Sequence, residues 1–132
     1  MNSKLKRLDK VFSEYIRRRD ADSNGYVRCI SCGMIVHWKD ADCGHYIPRA
    51  NMSTRFDERN CNAQCRECNR AKDGNISGYE IGLVRKYGHT IIGVLLEEKW
   101  QIRKWSKHAL DESIKYYRSQ IMDMRNGKAS KK

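Results

Sequence analysis

Two CxxC turns, Cys29-Ile30-Ser31-Cys32 and Cys65-Arg66-Glu67-Cys68, constrain this chain more than any other feature. Each turn fixes two thiols close together, and two such turns facing one another supply four thiolates to one tetrahedral zinc ion. Four thiolates leave no open position for water, so the zinc is read as a structural clamp and not as a catalyst. The gap between the turns, Gly33 to Gln64, is longer than the usual spacing of zinc-ribbon pairs and holds Gly44-His45-Tyr46 and Asn60. The spacing predicts that something besides a zinc site is built there.

A chain of 132 residues is one domain by length, with a modest core to which zinc adds stability. Lys and Arg number 27 against 16 Asp and Glu, a net charge of +11, which points to a polyanionic partner. Solubility alone, or attraction to any anionic surface, is the plainer explanation of that charge. Nucleic acid ranks above membrane, because no apolar run approaches the roughly 20 residues of a spanning helix. The start, Met1-Asn2-Ser3-Lys4, leads into no signal-peptide core. Paired CxxC turns in an intracellular protein are read as metal ligands and not disulfides. Cys43 and Cys61 are left over, and are read as small buried apolar groups.

Leu5, Leu8, Val11, Phe12, Tyr15 and Ile16 recur at helical spacing over residues 4–20, ending in the turn formers Asp20 to Gly25. Its basic face, with Arg17, Arg18 and Arg19, either meets phosphates or is solvated. Tyr26-Val27-Arg28 and Met34 to Trp38 are predicted strands flanking the first zinc turn, with His37 a partly buried structural residue. Strands near Cys43–Ile47 and Asn60–Ala63 predict a hairpin with a long loop, followed by a short helix from Arg66 to Lys72. Ser77-Gly78-Tyr79-Glu80 reads as a capping box opening a helix that Gly88 stops. Thr90 caps a shorter helix, and Ser106 opens a last one whose seam is Leu110, Ile114, Tyr117, Ile121 and Met124. That seam either packs on the first helix or joins two chains into a homodimer. The expected layout is one domain: a helix at 1–22, a zinc-bound core at 26–75, helices at 76–125 and a disordered basic tail at 126–132.

Hydrolysis of a phosphodiester needs a base for the water, a cation beside the phosphate and stabilisation of the leaving oxygen. His45 suits the first task, its unperturbed pKa lying near working pH. The Asn60 amide can hold the strand or loop that orients His45, and the Asn69 carbonyl, after the last zinc cysteine, can ligate Mg²⁺. On these residues alone, a zinc module that merely binds DNA, with His45 structural, stays open beside the nuclease reading.

The segments Phe12 to Asp20, Cys29 to Gly33, Asp42-Cys43-Gly44-His45-Tyr46, Arg55 to Asn60, Gln64 to Asn69 and Gly74-Asn75 resemble successive blocks of the NinG (Rap) family of phage recombination endonucleases. Tyr79 and Tyr87-Gly88 extend the likeness. The resemblance implies an α+β fold with a zinc-stabilised ββα-metal (HNH, treble-clef-like) core, an N-terminal helix and a helical C-terminal part. It implies an Mg²⁺- or Mn²⁺-dependent endonuclease that cuts branched DNA, Holliday junctions and D-loops, leaving a 5′ phosphate and a 3′ hydroxyl in the cytoplasm of a bacterial host. By the HNH template His45 is the general base, Asn60 the structural asparagine and Asn69 a catalytic-metal ligand.

Gly44 departs from that template, standing where a carboxylate or imidazole is usual. Asp42 is the nearest replacement ligand, one step along the same strand face; Asp57 and Glu58 are rivals, or simply loop acids offsetting Arg55 and Arg59. Arg55, Arg59, Arg66 and Lys72 are the expected phosphate contacts. A sequence-specific HNH nuclease uses the same site with another DNA-reading surface.

Overall fold

The computed structural model describes residues 3–127. The first helix, α1 (Ser3–Arg19), turns Leu8, Phe12, Tyr15 and Ile16 inward, as the spacing predicts. Strands β1 (Tyr26–Arg28) and β2 (Ile35–His37) pair antiparallel around the first CxxC turn, with Val27 opposite Val36. Gly33 takes a φ of +80° there, a conformation that costs glycine little. A single 3₁₀ turn, Trp38–Asp40, then leads into β3 (Ala41–His45). The His37 ring is half-buried and caps that turn, accepting from the Lys39 N–H at 3.2 Å.

β3 pairs antiparallel with β4 (Cys61–Cys65), His45 opposite Cys61 and Ala41 opposite Cys65. β3 lies two residues before the expected Cys43–Ile47, and β4 starts one residue and ends two residues after the expected Asn60–Ala63, each strand drawn toward its own CxxC turn. Ile47 leaves the ladder because its N–H bonds to the Asn60 side chain and Pro48 follows. The short helix expected from Arg66 to Lys72 is one wide π turn, Glu67–Ala71, closed by the Lys72 N–H on Glu67 O at 3.0 Å.

Three further helices complete the chain: α2 (Ile76–Tyr87), α3 (Ile91–Lys99) and α4 (Lys107–Arg125). The capping box at Ser77 does not form. α2 starts two residues earlier, after Asn75 in the left-handed region, and the Glu80 carboxylate accepts from the Tyr46 hydroxyl at 2.5 Å instead of reaching back to Ser77. Thr90 makes no side-chain cap bond, whereas Ser106 Oγ does accept from the Ala109 N–H at 3.0 Å.

Leu110, Ile114, Tyr117 and Ile121 of α4 are buried against Leu8, Phe12, Tyr15 and Ile16 of α1, with Met124 partly buried beside them. The seam is therefore packed inside the chain, on α1. A second cluster packs Tyr79, Leu83, Ile91 and Leu95 on Tyr46 and Ile47. Tyr79 is fully buried, its hydroxyl donating to Gly44 O at 2.6 Å, which ties α2 to the hairpin. The result is a mixed α+β arrangement with two small sheets among the described residues. No described helix is long and apolar enough to cross a membrane. Most of the expected basic tail lies outside the described residues.

Candidate active site

The four CxxC sulfurs, Cys29, Cys32, Cys65 and Cys68, all lie within 4.8 Å of one another. Three N–H groups already face them: Met34 N to Cys32 at 3.5 Å, Cys68 N to Cys65 at 3.4 Å and Asn75 Nδ2 to Cys68 at 3.3 Å. Burial lifts the Cys65 thiol to about 12, so a thiolate there would need a cation beside it to be stable. The donor set and its spacing fit a structural Zn²⁺.

At the far end of the hairpin, His45 points its Nε2 at Arg55 O, 3.0 Å away. A carbonyl oxygen only accepts, so Nε2 carries the ring proton and the lone pair is left on Nδ1. Burial is the largest influence on this imidazole and lowers its pKa, disfavouring the charged ring. The Thr54 carbonyl, next to Arg55 in the chain, is held in turn by Asn60. That side chain has no exposed surface; its Oδ1 accepts from Ile47 N at 2.8 Å and its Nδ2 donates to Ile47 O at 3.0 Å and Thr54 O at 3.1 Å. Asn60 thus closes the loop 46–60 and fixes the residue next to Arg55.

Gly44 owes its identity to Gln64, whose side chain fills the space a Cβ would need. Gln64 Nε2 donates to Ser31 Oγ at 2.9 Å and Gly74 O at 2.7 Å, while its Oε1 is buried without a hydrogen-bond partner. No ligand side chain fits at position 44. Two residues back, Asp42 accepts from Asn69 Nδ2 at 2.9 Å and receives a two-pronged contact from Arg70 at 2.9 and 2.8 Å. Burial opposes the charge on Asp42, but Arg70 and Asn69 outweigh it and lower the carboxyl's pKa.

His45, Asp42 and Asn69 line one open cleft of about 730 Å³, together with Arg17, Lys39, Arg49, Arg66 and Arg70. Five cations against Asp9, Asp42 and Asp73 leave its lining net positive, a charge suited to an extended anion.

Comparison with known proteins decides the family. The model of the NinG family, described as bacteriophage lambda NinG protein, matches residues 2–127. The chain belongs to the NinG family. It is 30% identical over 128 residues to "Protein ninG" of Escherichia phage 933W, covering 95% of this chain and 60% of that protein. The proteins of the same name from Escherichia phage lambda and Salmonella phage P22 are also 30% identical over 128 residues, with 59% of each covered. The chain therefore spans about 60% of the length of the curated relatives it matches. No solved structure matches it.

In this NinG-family chain the expected phosphate contacts part company. Arg66 lines the cleft, its guanidinium donating to Lys39 O at 3.1 Å. Arg55 is held by Asp9 through contacts of 3.0 and 2.5 Å with its side chain 15% exposed, so its backbone carbonyl meets the site and its guanidinium does not. Arg59 pairs with Asp57 and Glu98, and Lys72 lies 3.9 Å from Glu67; neither lines the cleft. Asp57 is engaged by Arg59, and Glu58 accepts from the Tyr15 and Tyr117 hydroxyls, so neither stands near Asn69 as a rival to Asp42. Sequence reasoning missed Lys39, Arg49, Arg70 and the Arg55 carbonyl. Arg70, the residue after Asn69 in a basic run, carried a signal; a backbone carbonyl carries none.

Proposed function

We propose that this chain is a zinc-clamped ββα-metal (HNH-type) endodeoxyribonuclease acting on branched DNA inside the host bacterium. The observation that carries the reading is the His45 ring, fixed through Nε2–H on Arg55 O at 3.0 Å with Nδ1 unprotonated, in a cationic cleft. His45 Nδ1 takes the proton of the attacking water. Arg49 and Arg66 draw the backbone phosphates along the cleft, and Asn60 keeps the loop in place through the reaction.

Asp42 and the Asn69 carbonyl are the oxygen donors that would hold Mg²⁺ or Mn²⁺, and Arg70, now on the Asp42 carboxylate, would be within reach of a phosphate beside it. Such an ion supplies charge stabilisation to the phosphoryl and leaving oxygens. Two symmetric cuts in a Holliday junction need two sites, so a second chain would join on the DNA by a surface other than the α1–α4 seam.

The test is cleavage of labelled junction, flap and linear duplex by the wild type and by His45→Ala. We expect His45→Ala to lose at least a hundredfold in rate while binding junction DNA within threefold of wild type. A variant that cuts within tenfold of wild type removes His45 from the mechanism. Arg70 on the Asp42 carboxylate favours a second reading, a zinc module that binds recombination DNA without cutting it. Junction binding with no cleavage in either Mg²⁺ or Mn²⁺ would establish that one.

A further inference from the structure

Cys43 and Cys61, left over from the zinc turns, do not sit apart from the site. The Cys43 sulfur, the Cys61 sulfur and a His45 ring nitrogen all lie within 4.8 Å of one another. The register explains it: Cys43 and His45 are two apart on β3 and share a face, and Cys61 stands opposite His45 on β4. Tetrahedral coordination with Zn–S of about 2.3 Å and Zn–N of about 2.0 Å spaces donors about 3.5–4 Å apart, within reach of this trio by small side-chain movements. Cys43 and His45 line the cleft, which gives an ion its way in. Cys61 lies behind them, fully buried, its sulfur 3.5 Å from Arg55 O.

We propose that Cys43, His45 and Cys61 form a second metal site, selective for a thiophilic ion such as Zn²⁺ or Cd²⁺, with its fourth position open to the cleft, and that occupancy switches off the His45 base. The site is distinct from the four-cysteine clamp, since β4 runs from Cys61 to Cys65 and separates the two by roughly 13 Å at about 3.3 Å per residue. Its selectivity follows from the donors: two sulfurs and an imidazole suit Zn²⁺ and Cd²⁺, whereas Mg²⁺ demands oxygen.

The consequence for His45 is the same whichever nitrogen binds. An ion on Nδ1 takes the lone pair that would accept the water's proton. An ion on Nε2 displaces the Arg55 carbonyl and sends the ring proton to Nδ1, which then has none to accept. The binding claim is independent of the nuclease reading; only the switching claim rests on it.

Metal per chain, measured on the 132-residue protein after Zn²⁺ or Cd²⁺ loading and desalting, tests the site without any cleavage assay. Wild type should hold two ions and Cys43→Ser one, with cobalt(II)–thiolate absorbance falling in parallel. Cys61→Ser should match it where it folds; Cys43, only half-buried, keeps the test standing where it does not. One ion per wild-type chain in tenfold excess, or two in Cys43→Ser, overturns the site. Zn²⁺ at that loading should lower Mg²⁺-supported cleavage by wild type at least tenfold and that by Cys43→Ser less than twofold. Equal inhibition of both proteins overturns the switch. Absence of cleavage in every condition, with two ions still bound, would overturn the nuclease reading and the switch together and leave the metal site intact.

Discussion

Asn60 does more for this site than its distance from the chemistry suggests. Three buried backbone groups, Ile47 N, Ile47 O and Thr54 O, depend on its amide. Asn60→Ala leaves them unpaired, at about 1–3 kcal/mol for each buried group left without a partner, so we expect about 3 kcal/mol or more lost in urea unfolding. Asp20 makes a prediction of a different kind. Burial opposes its charge, yet contact with Arg19 and Lys86 and the Ala63 N–H at 2.8 Å lower its pKa. A carboxyl with a depressed folded pKa stabilises the fold above its unfolded value, about 3.9, and the gain drains away as pH falls through the folded value. Unfolding free energy should therefore drop as pH falls from about 4, and Asp20→Asn should be less stable at pH 7 with a flatter slope in that window. That His45 and Asn69 reach one cleft, with Asn60 holding the loop behind it, was legible in sequence because residue type and order carry it. The Asp9–Arg55 pair, 46 positions apart, and the Arg55 carbonyl had no such mark.

Among the elements, those with long apolar periodicity were the most legible: α1 and α4 match their expected spans to within about a residue. Where the reading failed, a tertiary partner had overruled a local rule. Tyr46 claims Glu80, so the box at Ser77 is not made; Asn60 claims the Ile47 N–H, so β3 ends early. The π turn at Glu67–Ala71 has no sequence signature of its own, arising where Cys68 faces the other three cysteines of its cluster while Asn69 and Arg70 reach Asp42. What periodicity alone left open was the partner of the α4 seam, and α1 is that partner. Ile114→Ala should thus cost about 2–4 kcal/mol, as a buried large-to-small change does. Ile114→Asp should give an aggregated or unfolded chain by circular dichroism. A folded, zinc-loaded Ile114→Asp protein would mean that the seam is not core.

For the whole molecule, the charge is what connects fold to partner. A net charge of +11 is diffuse, but the fold sorts it. Arg55, Arg59 and Arg19 are committed to Asp9, to Asp57 with Glu98, and to Asp20, and contribute little to a ligand outside. Arg17, Lys39, Arg49, Arg66 and Arg70 remain along the cleft. Arg17, on Ser13 and Trp38 O, and Arg70, two-pronged on Asp42, are each held by several contacts and meet phosphate only by giving them up, whereas Arg66 spends one N–H on Lys39 O and Arg49 lies 3.6 Å from Asp9. A DNA backbone seated there would meet between three and five of these cations. Each neutralised phosphate contributes about −0.9 to the slope of log K against log salt on duplex DNA, which sets the slope at about −3 to −5. Arg49→Gln with Arg66→Gln should make it shallower by about 2, whereas Arg59→Gln should leave it unchanged. Fluorescence anisotropy of labelled junction DNA across a salt series reads all three proteins, and a wild-type slope near zero would break the link between the cleft and DNA.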